Sequence, residues 1–111
     1  MLNDIDITIS EQEFQNTITT LAKSMGWLVY HTYDSRRSTP GFPDLVLVRG
    51  NRIMFRELKK EIGKLTGSQR GWLDSLAAAG ADAGVWRPSQ LDEIYSVLVQ
   101  PLGSLGLDKS D

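Results

Sequence analysis

Asp44, Glu57 and Lys59 are the residues of this chain whose types and spacing suit phosphoryl chemistry. Asp44 ends the string Gly41-Phe42-Pro43-Asp44, and Glu57-Leu58-Lys59 begins thirteen residues after it. Between them, Leu45-Val46-Leu47-Val48 and Ile53-Met54-Phe55-Arg56 are β-prone runs either side of Arg49-Gly50-Asn51-Arg52, which predicts a hairpin. A symmetric four-residue turn makes facing residue numbers sum to 101, so Val48 faces Ile53, Val46 faces Phe55 and Asp44 faces Glu57. Directly opposed residues have Cβ atoms roughly 4.5–5.5 Å apart. Strand side chains alternate faces, so Lys59 joins Glu57 while Leu58 turns away.

Two opposed carboxylates repel each other and call for a compensating cation. Magnesium is the natural one: it takes hard oxygen ligands, usually one or two carboxylates, and leaves the remaining positions to water and substrate phosphate. Such a centre polarises a phosphoryl oxygen and acidifies a bound water, and the Lys59 ammonium is placed to orient that water or steady the transition state. The plainer alternative is a surface hairpin in which Lys59 merely neutralises Glu57. Apolar side chains on both faces of the hairpin argue against it, because charges seldom end so hydrophobic a pair of strands without a purpose.

Pro43-Asp44 with Glu57-Leu58-Lys59 resembles the PD-(D/E)xK nuclease signature. The longer strings Gly41 to Val48, Glu57 to Lys59, Leu65 to Leu73 and Val85 to Pro88 resemble the VRR-Nuc family, over about Ser10 to Leu98. The resemblance implies a restriction-endonuclease-like core and an endodeoxyribonuclease using Mg²⁺ or Mn²⁺. It also places a metal-binding acid on the first helix, at Glu13, and a glutamine at the head of the second, at Gln69. Stand-alone members of this size are mostly found in phages and bacteria, and some resemble Holliday junction resolvases, acting as homodimers on branched DNA.

The flanking sequence supplies the elements that must hold these residues. Ser10 with Glu13 is a capping-box pattern opening a helix through Phe14, Ile18, Leu21, Ala22 and Met25, and Trp27 to Tyr33 is a strand. Thr66 with Gln69 is a second capping box, for a helix through Trp72, Leu73 and Leu76 to Gly80. Ala83 to Arg87 returns as a strand, and Pro88-Ser89 starts a last helix through Leu91, Ile94, Tyr95 and Leu98. The predicted fold is α/β, in the order α-β-β-β-α-β-α, a mixed sheet with helices on both faces. Residues 1–9 form an N-terminal extension, 10–100 the nuclease domain and 101–111 a flexible tail. Glu13 and Gln69 each have a second reading as helix caps. His31 reads as a satisfied strand residue or a proton acceptor, and the three tryptophans as core or dimer surface.

With 41% hydrophobic residues the chain makes one domain, without room for a separate recognition module. It has no cysteine for a disulfide or thiolate site, no apolar run near the ~20 residues of a membrane span, and an acidic rather than basic N-terminus, so a cytoplasmic setting in a bacterium or phage-infected host is expected. The net charge of −2 hides an asymmetry: Arg36 to Lys64 carries eight bases and three acids, net +5, which leaves −7 elsewhere. Arg36 and Arg37, in the loop before Gly41, with Lys60 and Lys64, are the candidate phosphate contacts; Arg49 and Arg52 are open to the same reading.

The residues, read with the resemblance, predict a divalent-metal nuclease with Asp44, Glu57 and the Leu58 carbonyl as metal ligands; the resemblance implies structured DNA, four-way junctions foremost, as substrate and adds Glu13 to the ligands. Lys59 and Gln69 would act on the reacting groups. No small-molecule cofactor is expected. The alternatives are a flap-, nick- or end-directed nuclease with the same site, or a DNA-binding module without catalysis.

Overall fold

The computed structural model describes residues 7–33 and 37–100. Arg36, the tail from Pro101 and most of the N-terminal extension lie outside them. Helix α1 (Glu11–Ser24) is followed by strands β1 (Leu28–His31), β2 (Leu45–Arg49) and β3 (Arg52–Leu58), helix α2 (Gly67–Ala78), strand β4 (Asp82–Trp86) and helix α3 (Leu91–Val99), with a 3₁₀ turn at Pro88–Gln90. The four strands form one sheet in chain order, β1 to β3 antiparallel and β4 parallel to β3. The expected order is the observed one.

The hairpin register is also as expected: Val48 pairs with Ile53 and Val46 with Phe55 across the Gly50-Asn51 turn. That register sorts the faces. Leu45 and Leu47 of β2 with Met54 and Leu58 of β3 point to one side, where Phe14, Ile18 and Ala22 of α1 and Leu91, Ile94 and Leu98 of α3 complete the core with Trp27 and Trp86. Phe55 points to the other side. Phe42 meets it edge-on at 6.1 Å and meets Trp72 of α2 at 5.1 Å, so α2 packs there through aromatic contacts. The helices therefore lie on both faces of the mixed sheet.

Two differences from the expected boundaries have local causes. Trp27 follows the end of α1, its N–H bonding back to the Ala22 carbonyl, so β1 starts only at Leu28. Pro88 accepts a 3₁₀ turn before α3, a position where its missing N–H is harmless.

Arg49 and Arg52, open to a phosphate reading from sequence, are structural. Arg49 donates to the carbonyls of Met25, Leu98 and Gln100, closing the C-terminal ends of α1 and α3, and Arg52 reaches Val97. Both guanidinium groups lie over the Trp27 ring, at 4.8 and 5.1 Å from its centre. Orphan carbonyls at helix ends need such donors. Arg49→Ala should lower stability by about 2–4 kcal/mol, judged from the strength of hydrogen bonds to charged groups. Arg49→Lys should recover only part of it, since an ammonium lacks the planar fork. Thermal unfolding followed by circular dichroism checks both.

Candidate active site

Asp44 stands at the start of β2, where the Thr32 N–H donates to its carbonyl at 3.1 Å and continues the β1 pairing. Its carboxylate Oδ2 accepts from the Leu58 N–H at 2.9 Å, tying it to the end of β3. A residue's N–H and C=O leave an extended strand on the same edge, so the Leu58 carbonyl is directed to the Asp44 side as well.

Glu57 is buried, with 2% of its surface exposed. Its Oε2 accepts from Gln69 Nε2 at 2.9 Å and has the Lys59 ammonium at 3.9 Å. Its Oε1 is buried without a hydrogen-bond partner. Burial first, then the neighbouring charge of Asp44, push the Glu57 carboxyl up to about 8; Lys59 opposes this. A buried carboxyl oxygen with no donor is costly. The pair is thus held together by the fold against its own repulsion, with Lys59 too distant to satisfy it.

Gln69 fills both of its sequence readings at once. Its Oε1 accepts from the Thr66 N–H at 2.9 Å, completing the capping box, while its amide nitrogen holds Glu57. The cap orients the amide that reaches the site. Glu13 is engaged in its own capping box: its carboxylate accepts from the Ser10 N–H at 3.1 Å. The acid of α1 whose charge reaches Glu57 is Glu11, two residues earlier. From the sequence Glu11 is the less expected substitute for Glu13, because it stands on another helix face.

Arg37, Lys60 and Lys64 are exposed. The loop that carries Lys60 is braced: Arg87 donates to the carbonyls of Lys60 and Gly63 at 2.8 and 2.7 Å, and the Ser89 N–H donates to the Glu61 carboxylate at 2.9 Å. Sequence reasoning did not foresee this clamp, which needs β4 beside β3. His31 pairs with Leu45, not Asp44, so it faces α1 rather than the carboxylates.

A divalent cation fits this donor set. The donors are hard carboxylate oxygens, they are pressed together, and one is orphaned. Among the described residues no three His, Cys, Asp or Glu side chains gather as a ready-made metal cage, and a magnesium-type site needs only one or two carboxylates beside water and phosphate.

A parallel-and-antiparallel sheet flanked by helices, with a Pro-Asp and a Glu-x-Lys brought to one end, defines a nuclease-type fold. The family model of the VRR-NUC domain matches residues 8–90, and the chain belongs to that family. A solved structure described as "VRR_NUC domain" superposes with a TM-score of 0.65 at 27% identity, covering 78% of this chain and 94% of its own. Another, "VRR_NUC domain protein", has a TM-score of 0.66 at 23% identity, covering 85% and 88%, and speaks for the fold. A search of curated proteins finds no match. The chain is a DNA-processing module of nuclease type, from a family that generally uses divalent metals. No helix among the described residues is long and apolar enough to cross a membrane.

Proposed function

We propose that the protein is a Mg²⁺- or Mn²⁺-dependent endodeoxyribonuclease that hydrolyses phosphodiesters in branched DNA, four-way junctions foremost. The observation that carries this reading is the buried Glu57 carboxyl, forced against Asp44 with one oxygen unpartnered. A folded protein that keeps such a pair has a use for a cation between the two acids.

Asp44, Glu57 and the Leu58 carbonyl would hold the ion, which supplies a polarised phosphoryl oxygen and an acidified water. Glu13 is the acid that the family resemblance adds, and it would have to give up its cap; Glu11 already lies within electrostatic reach of Glu57. Gln69 keeps the Glu57 carboxylate in one orientation, since the other half of its amide is fixed by the helix cap. Lys59, buried at 9% exposure, brings a cation beside the same oxygen and would orient the attacking water or neutralise charge on the phosphorane. Arg36, Arg37, Lys60 and Lys64 would take the DNA backbone, with selectivity coming from shape rather than base sequence.

A homodimer suits a twofold junction. In its favour, α2 leaves the β1 side of its face uncovered: the row Leu28, Val48 and Ile53 crosses three strands, with Leu28 at 73% and Ile53 at 48% exposure. Work inside a bacterial or phage-infected cell follows from the same reading.

The test is a panel of labelled four-way junction, flap, linear duplex and RNA hairpin with magnesium, manganese or EDTA. Paired symmetric nicks in the junction that need metal support the proposal, whereas binding without cutting under every condition overturns it. Lys59→Ala should lower turnover by about 10²–10⁴-fold, the usual worth of a positioned proton-handling group, and leave DNA affinity in calcium unchanged.

A further inference from the structure

On the α1 side of β1 lies a cavity of about 260 Å³ lined by side chains that each carry an uncharged polar group or a ring. From α1 it takes Gln12, Gln15, Asn16, Thr19 and Thr20, at the i, i+3, i+4, i+7, i+8 spacing of one helix face. From β1 and just beyond it come His31 and Tyr33. Among the described residues no Asp, Glu, Lys or Arg lines it. Without lysine or arginine it is a poor seat for phosphate, and without a carboxylate a poor one for a metal ion. Amides next to aromatic rings suit a nucleobase, which presents donors and acceptors along its edge and stacks on its faces. The volume falls below the ~300–1,000 Å³ of clefts that take drug-sized ligands.

The lining is held in place. Gln12 Nε2 donates to Asn16 Oδ1 at 3.1 Å, and Gln15 Nε2 meets His31 Nδ1 at 3.3 Å, which fixes the imidazole. The His31 and Tyr33 rings are 4.2 Å apart, and Tyr33 is 89% exposed, so the phenol ring is braced by the imidazole and otherwise open to solvent.

The cavity lies on the α1 face of the sheet, on the strand that neighbours that of Asp44. Thr32, between His31 and Tyr33, bonds by its N–H to the Asp44 carbonyl, so the rings stand on the strand next to that of Asp44, one spacing of about 4.8 Å away. The ring pair also borders a larger cleft of about 650 Å³ that continues past Thr32 to Phe42 and includes Lys23.

We propose that this notch binds one unpaired nucleobase of the DNA substrate, stacked on Tyr33 and edge-bonded by the amides of Gln12 and Asn16, while its sugar and phosphate follow the cleft toward Asp44. The inference rests on the nuclease reading and narrows it: the DNA cut here carries a base out of the stack beside the scissile phosphate, as at a branch point, and uninterrupted duplex lacks one.

Binding is measured by fluorescence anisotropy in calcium, with a hairpin duplex bearing one bulged adenine, the same duplex with an abasic residue in its place, and the fully paired form. The wild type should bind the bulged adenine about tenfold or more tightly than the abasic form, the size of one base–aromatic stack. Tyr33→Ala should erase that difference and Tyr33→Phe should keep it, both with wild-type affinity for paired duplex. Equal affinity of the wild type for adenine and abasic forms, or a Tyr33→Ala loss shared by all three DNAs, overturns the base site. Cutting of a four-way junction in manganese is read separately: its absence removes the nuclease reading, while the adenine-against-abasic comparison still decides the notch.

Discussion

Glu57→Gln should cut the cleavage rate by about 10³-fold or more, the several kcal/mol that a polarising ion is worth, and should at the same time make the metal-free protein more stable. The two effects have one cause. With its carboxyl raised from 4.5 to about 8, folded Glu57 holds its proton more tightly than the unfolded chain does. The folded state is therefore unpenalised below pH 4.5 and loses stability as pH rises through about 8, on the order of a few kcal/mol in all. Glutamine keeps the shape and the Gln69 neighbour without that titration. In EDTA, the wild type should melt progressively lower from pH 5 to pH 8.5, while the variant's midpoint stays level across this range apart from effects common to both. A variant with wild-type cleavage, or a wild type without this pH dependence, would remove Glu57 from the centre. Asp44→Asn should likewise abolish cutting and relieve Glu57 of its neighbouring charge, with DNA binding in calcium retained for both variants.

Gly41→Ala should be the most damaging change outside the charged residues. Gly41 has φ +96°, and a Cβ there would lie 2.5 Å from the Ser68 backbone carbon and oxygen. Neither can yield, because Ser68 lies in the first turn of α2 and Gly41 leads directly into Pro43-Asp44. This close approach sets the loop that carries Asp44 against the helix turn that carries Gln69. Left-handed backbone costs a residue with a Cβ about 1–2 kcal/mol, and a clash in a packed contact about 1–3 more, so a loss of about 2–5 kcal/mol is expected. Cleavage should fall beyond what unfolding explains, because the Gln69 and Asp44 contacts to β3 are displaced together. Gly71→Ala is the control of opposite sign: nothing lies within 4 Å of its Cβ position, inside α2, and it should stabilise by about 0.5–1 kcal/mol. Denaturant unfolding beside a metal-dependent cleavage assay separates stability from activity in all of them.

What the sequence made readable was local. The Gly50-Asn51 turn pins the hairpin register, and with it the meeting of Asp44 and Glu57, because a slip by one residue would turn Leu45, Leu47 and Met54 away from the core. Both capping boxes were legible for the same reason, being closed within four residues. The parts that could not be read depend on where distant elements dock. Arg49 and Arg52 look like exposed bases on a turn until α1 and α3 bring their C-terminal carbonyls to them. Arg87 acts on a loop that begins twenty-seven residues earlier. The notch around Tyr33 exists only because α1 lies across β1; the polar helix face that begins at Gln12 does not by itself announce it. At Gln69 the cap and the site proved compatible, since an amide has two ends.

The pairing of Asp44 and Glu57 as one metal centre is tested most directly by titrating Mn²⁺ into the wild type and Glu57→Gln by calorimetry, in two buffers of different ionisation enthalpy, at pH 7 and pH 9. With the Glu57 carboxyl near 8, binding to the wild type should release about one proton per ion at pH 7 and far less at pH 9, and the variant should bind at least tenfold more weakly with no such release. Equal affinity in the two proteins, with no proton released at pH 7, would contradict the assignment.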